Sequence, residues 1–410
     1  MELIDYLTKQ AKAAMADNEF CNAIKGLTCG LVIEITEGVG SVVVIPIEGR
    51  DDKAIILRAS AIIWGNIILP KPPIGFHSFT AALRQQQEFK IEGTKLQIAQ
   101  SLHALERLFE ILRGQIADED PQAYPDLQHI RGSYGYVNLG NERVAQIYYE
   151  ESGNAEAPTL LMLHTAGADA RQFHPIMADI DLRKQWNMVA FDLPSHGRSM
   201  PLLKALWQDY SLTKEDYVNV CQVFIEQIIG RPVVLLGCSM GAAMALKMAA
   251  TFPNLVSGVI ALEAPFRSVG RRTDMLTNPQ VNQAAHNPSY VRGLMSPSSP
   301  LSGRRAAAWI YSQGGFQVYS GDLVFYSDEF DAAVDLVGID GIAKGITLLT
   351  GSYDYSATPA DSQKVAALIP GARFTLMPDI GHFPMIENPK RLIEYMKPEL
   401  AYVFSKFKKV

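Results

Sequence analysis

Apolar positions fall along this chain in two regimes. From about Tyr134 onward, short continuous apolar runs alternate with amphipathic stretches. The runs 144–149, 159–164, 187–192, 232–236, 256–262, 345–350 and 372–377 read as strands, several of them apolar throughout and so buried on both faces. Residues 215–229 read as a helix, as does the small-residue-rich stretch 242–250, which Pro253 stops. This rhythm predicts a mainly parallel, doubly wound sheet with function gathered at the carboxyl ends of its strands.

The rhythm breaks between 266 and 341, where helical pieces are interrupted by Pro288, Pro297 and Pro300. Trp309, Tyr311, Phe316, Tyr319, Phe325 and Tyr326 read there as exposed aromatics, and the segment reads as a cap inserted after the sixth strand. The core is then 133–265 plus 342–410. Residues 1–113 differ in kind. Runs 31–36 and 41–47, joined across Gly38-Val39-Gly40, read as a hairpin; 53–60 and 61–69 as further strands; 77–87 and 96–113 as helices. Antiparallel strands with segregated helices predict a small α+β domain. Residues 114–132, with Asp118-Glu119-Asp120-Pro121 and Pro125, read as the linker.

A length of 410 residues with 48% hydrophobic content suits two globular domains. The net charge of −6 and the lack of a basic stripe argue against a nucleic-acid partner. Cys21, Cys29, Cys221 and Cys238 lack metal-ligand spacing, and Cys221 and Cys238 read as reduced core residues. The first residues read as an amphipathic helix rather than a signal peptide, and no apolar run reaches membrane-spanning length, so a cytoplasmic protein is expected. Exposed apolar strands in the first domain suggest a homodimer. Histidines and acids do not cluster at ligand spacing, and there is no Gly-x-Gly-x-x-Gly or P-loop. Neither a metal nor a cofactor is implied.

The candidate chemistry begins at Gly237-Cys238-Ser239-Met240-Gly241, directly after the apolar run 232–236. A strand turning sharply into a helix with a small residue two positions either side of a serine pushes that hydroxyl out over the sheet edge. Gly-x-Ser-x-Gly alone is weak, since roughly one chain in ten of this length carries it by chance. Context strengthens it: Asp354 and His382 each sit just past the end of another strand, in the order Ser…Asp…His. Serine needs a base to take its proton, and the base needs a carboxylate to orient it. Glu263, at the end of the 256–262 strand, is an alternative acid. Asp379 reads as shaping a turn, His164 and His196 as holding loops, and Arg171 as solvated or salt-bridged.

From about Tyr134 the chain resembles the α/β-hydrolase superfamily. The resemblance rests on the serine turn, on 191–199 (Phe-Asp-Leu-Pro-Ser-His-Gly-Arg-Ser), which is similar to the loop after that family's fourth strand, and on His164-Thr165-Ala166-Gly167, where the family usually has His-Gly. It implies an eight-stranded sheet with a helical cap, and an oxyanion hole made by the N–H groups of Met240 and Ala166. Thr165 departs from the usual glycine. Residues 89–96 with the following helix resemble, more faintly, a sterol-carrier-protein-2-like domain, which would imply an apolar tunnel; a structural or dimerising role is the alternative. The expected activity is hydrolysis of an ester, amide or lactone of a hydrophobic acyl or aryl substrate by Ser239, His382 and Asp354. Carbon–carbon bond hydrolysis of diketone-like substrates, acyl transfer, cofactor-free oxygenation and simple binding of a lipophilic ligand remain open beside it.

Overall fold

Two sheets organise the chain. In the structure, a computed structural model, residues 2–36, 40–46, 54–115, 125–202 and 210–407 are described. The N-terminal domain holds β1 (Leu31–Ile35), β2 (Gly40–Ile45), β3 (Ile55–Ala59) and β4 (Lys90–Glu92) in the order β2-β1-β3-β4. β1 and β2 pair antiparallel; the turn expected between them lies outside the described residues. β1 and β3 run parallel, so the sheet is mixed rather than antiparallel.

The 61–69 run is a helix, Ala61–Ile67, not a strand. Ser60 caps it through Oγ, and Ile63, Trp64 and Ile67 bury one helical face. A short run that is apolar at all but Gly65 and Asn66 carries no clear period that separates strand from helix. The 96–113 helix is broken at Ser101 into Lys95–Gln100 and Leu102–Leu112. Trp64, Phe79, Phe89 and Phe109 fill the interior with ring centroids 5.7–6.3 Å apart.

The larger sheet holds β5 (Arg131–Asn138), β6 (Val144–Gly153), β7 (Thr159–Leu163), β8 (Asn187–Phe191), β9 (Val233–Cys238), β10 (Val256–Leu262), β11 (Ile346–Gly351) and β12 (Arg373–Met377). Their order is β12-β11-β10-β9-β7-β8-β6-β5. Pairing is parallel from β8 to β12 and antiparallel at the β6 and β5 edge. β7, β9 and β11 are buried at every position, as strands covered on both faces must be.

Helices Gln283–Gly293, Leu301–Ser312 and Val318–Leu323 lie between β10 and β11 in the chain. Trp309 and Phe316 are exposed, but Tyr311, Phe325 and Tyr326 are buried and Tyr319 is half-buried, which corrects the reading of all six as exposed. Phe325 packs on Tyr217 and Phe330, while Tyr311, Tyr319 and Tyr326 turn toward the sheet's carboxyl end.

The N-terminal domain is bolted to this segment. Glu110 accepts from Arg292 Nη2 at 2.5 Å, Arg304 Nη1 at 3.0 Å and Arg107 Nη1 at 2.9 Å, all four side chains being buried. Burial alone would raise the Glu110 carboxyl, but the arginine charges hold it at about 2.

Candidate functional site

Ser239 stands where β9 turns into helix Met240–Thr251, with φ 56° and ψ −115°. Left-handed backbone at a non-glycine residue is strained, and it persists because the crossing around it is tight. A Cβ at Gly241 would run into the carbonyl oxygens of Leu163 and His164, and one at Gly237 into that of Gly241. Small residues are therefore required where the helix leaves the strand.

Three strand ends converge at this turn. His382 Nε2 lies 2.9 Å from Ser239 Oγ, and His382 Nδ1 lies 2.6 Å from Asp354 Oδ2. All three side chains are buried. With a carboxylate accepting at Nδ1, that nitrogen carries the proton and Nε2 is left to accept from the serine. Asp354 Oδ1 is occupied by the N–H groups of Ser356 and Ala357 at 2.6 and 3.1 Å.

Glu263 lies beside Asp354 and makes no hydrogen bond to the histidine. Its two oxygens accept the Gly351 N–H at 3.0 and 3.1 Å. Burial, and then the neighbouring Asp354 charge, pushes the Glu263 carboxyl well above the usual range, so it is protonated and donates to Asp354. Burial would raise Asp354 as well, but the adjacent His382, the hydrogen bond from Glu263 and the Ser356 N–H hold it below its ordinary value. Glu263, Asp354 and His382 are the described residues whose potential metal-ligand atoms cluster, within 4.8 Å of one another; these atoms are engaged with each other and with Gly351.

The 164–167 loop faces the same site. The N–H groups of Met240 and Ala166 donate to no other group among the described residues. Thr165, in place of glycine, is accommodated by Gln172: its N–H and its hydroxyl both reach Gln172 Oε1 at 3.1 Å. Gly167 N–H donates to Asp322 Oδ2 at 2.7 Å, and the same oxygen lies 2.8 Å from His196 Nε2. His164 Nε2 accepts from Leu193 N–H at 3.2 Å. His164 and His196 therefore tie loops together. Burial and the His196 charge lower the His164 pKa to about 4, whereas for His196 the Asp322 carboxylate outweighs burial and raises it. Arg171 is ion-paired with Asp169 at 2.5 Å, and Asp379 sits at φ 62° with Lys71 Nζ at 2.8 Å.

Above Ser239 lies a cavity of about 20 Å³, room for about one water molecule. Ser239, His382 and Ala166 form its floor; Arg271, Tyr290, Tyr319 and Tyr326 from the 266–341 segment contribute to its walls. The Tyr326 hydroxyl is 3.1 Å from Ser239 Oγ. Neither Arg271 nor Asp322 stood out in the sequence, because a charged residue in a polar, proline-broken stretch looks the same whether it faces in or out.

The sequence pattern of the alpha/beta hydrolase family matches residues 160–395. The chain belongs to the alpha/beta hydrolase family. It is 30% identical to the chloroplastic pheophytinase of Arabidopsis thaliana over 149 residues, 30% of each chain. To protein phosphatase methylesterase 1 of Rattus norvegicus it is 32% identical over 181 residues, 43% of this chain and 42% of the relative. These matches span less than half the length of either relative. The solved enol-lactonase of Burkholderia xenovorans LB400 superposes with a TM-score of 0.57 at 18% identity, covering 66% of this chain and all of that one, which shows a shared fold. The family match begins at residue 160 and leaves the N-terminal domain untouched, and the resemblance to sterol-carrier-protein-2-like domains gains no support from these relatives. No helix among the described residues is long and apolar enough to cross a membrane.

Proposed function

We propose that the protein is a serine hydrolase that cleaves carboxylic esters through an acyl-enzyme. The observation that carries this reading is the unbroken line of hydrogen bonds from Asp354 through both ring nitrogens of His382 to Ser239. Ser239 Oγ attacks the ester carbonyl while His382 Nε2 takes its proton, then hands that proton to the departing alkoxide. The charge that gathers on the carbonyl oxygen is met by the N–H groups of Met240 and Ala166, each such donor being worth roughly 3–4 kcal/mol in the transition state. Water, activated by the same ring, then attacks the acyl carbon and releases the acid; ester plus water gives acid plus alcohol. Asp354 keeps the ring in the tautomer that can accept at Nε2, and protonated Glu263 holds Asp354 in place.

The 266–341 segment acts as a cap. With room for about one water over Ser239, a substrate reaches the serine only when this segment moves. The methylesterase relative is consistent with ester chemistry, although the match covers less than half of either chain. The reading is tested by hydrolysis of p-nitrophenyl esters of graded chain length. Ser239→Ala should lower turnover on the order of a millionfold. An inert wild type, or a variant as active as the wild type, overturns the reading.

A further inference from the structure

Among the described residues, Arg271 is the one permanently charged side chain lining the Ser239 cavity, whose remaining wall is aromatic, aliphatic or polar and includes the His382 ring. Its Nη1 donates to the Tyr290 phenol at 2.8 Å and its Nη2 to the Ser356 carbonyl at 2.8 Å. Both acceptors are neutral. Arg267 and Arg272, close by in sequence, are paired with Asp331 and Asp328 at 3.7 and 2.6 Å, whereas no carboxylate among the described residues lies within ion-pair distance of the Arg271 guanidinium. Burial works against its charge, and the hydrogen bonds to Tyr290 and Ser356, with the Asp354 carboxylate further off, offset that cost. The negative charge of Asp354 is itself committed to His382. A fixed cation beside a nucleophile, in a cavity with room for about one water and no carboxylate in its lining, is a ready anchor for an anionic group.

We propose that Arg271 is a specificity-determining residue that binds a carboxylate carried by the substrate, so that the preferred esters are half-esters of dicarboxylic acids or esters with an equivalent free carboxylate. This rests on the hydrolase reading of Ser239 and names its substrate class. The charge count favours a carboxylate over a phosphate monoester: one guanidinium balances one negative charge, and its fork presents parallel N–H groups to two carboxylate oxygens. Tyr290 and Ser356 fix the fork by occupying one N–H on each terminal nitrogen and leaving the others for the ligand. The reaction stays balanced as before, and the bound carboxylate takes no part in bond breaking.

The test compares mono-p-nitrophenyl adipate and suberate with p-nitrophenyl hexanoate and octanoate, each pair matched in chain length and differing in the terminal carboxylate. Wild type should show kcat/KM at least tenfold higher for the charged member of one pair. The ratio should fall below one in Arg271→Met and lie between in Arg271→Lys; being taken within each enzyme, it is insensitive to the amount of folded protein. Equal rates for both members in wild type, or an unchanged ratio in Arg271→Met, overturns the proposal. If wild type cleaves no ester, calorimetry on Ser239→Ala with monomethyl adipate and methyl hexanoate decides separately. Binding of the charged ligand alone, lost on adding Arg271→Met, upholds the anion site while the hydrolase reading falls. No binding overturns both.

Discussion

Glu263 and Asp354 are carboxyls of one buried cluster, and their neighbours drive them to opposite protonation states. Each lies just past a strand end, so spacing alone leaves either as the partner of His382. The structure separates them through Gly351, whose N–H engages Glu263, and through Ser356 and Ala357, which fix Asp354. Asp354→Asn should lower kcat about ten-thousandfold by presenting the wrong tautomer of His382. Glu263→Gln, which still donates a hydrogen bond, should stay within about tenfold of wild type, as steady-state kinetics on the two variants will show. A second buried titratable group lies outside the chemistry. The His77 ring packs against Tyr353 and Tyr355, the neighbours of Asp354, and burial, then Arg113, lowers its pKa from 6.5 to about 3. The unfolded chain takes up this proton below pH 6.5 and the folded one refuses it, so stability is lost as pH falls from 6.5 toward 3, on the order of 1 kcal/mol per pH unit. His77→Phe should flatten that part of the Tm–pH curve, and identical curves would contradict the assignment.

At the scale of elements, what the sequence made legible and what it hid have a common physical origin. β7, β9, β10 and β11 are bounded apolar runs, and the chemistry-bearing residues follow strand ends, so Ser239, Asp354 and His382 could be placed before any contact was known. The strand–turn–helix at Ser239 was legible because steric crowding restricts what can stand at Gly237 and Gly241. Gly241→Val should destabilise the fold by about 1–3 kcal/mol through overpacking against the β7 carbonyls and abolish ester turnover, checked by denaturant unfolding and the ester assay. The 61–69 helix was hidden because its signals, the Ser60 cap and the 63, 64, 67 spacing, were masked by apolar residues on both sides of Gly65-Asn66. β5 was hidden because it is an edge strand with mostly exposed side chains, only Gly135 and Val137 turning to the core. The aromatics Tyr311, Tyr319 and Tyr326 were misplaced because composition does not say which wall of a helix meets another layer.

For the whole molecule, the N-terminal domain is part of the frame that holds the site. Thr80 Oγ1 is 2.7 Å from the Tyr355 hydroxyl, and the Tyr353 hydroxyl donates to the Pro72 carbonyl at 2.7 Å, so the loop carrying Asp354 is gripped on both sides from that domain. Glu110 fastens the same domain to the helices over the cavity. Glu110→Ala should cost about 3–5 kcal/mol by leaving the buried Arg304 without its counter-charge and Arg292 with Glu19 alone, read as a lower denaturant midpoint. Little of this was legible in the sequence, since contacts between residues 72–113 and 290–355 join positions far apart in the chain. The central claim, that Ser239 is a nucleophile driven by His382, is tested most directly by intact-protein mass spectrometry after reaction with a fluorophosphonate. The expected result is a single adduct on the Ser239 peptide of wild type, formed orders of magnitude more slowly in His382→Gln. An adduct elsewhere, or equal labelling of Ser239 in both proteins, would contradict it.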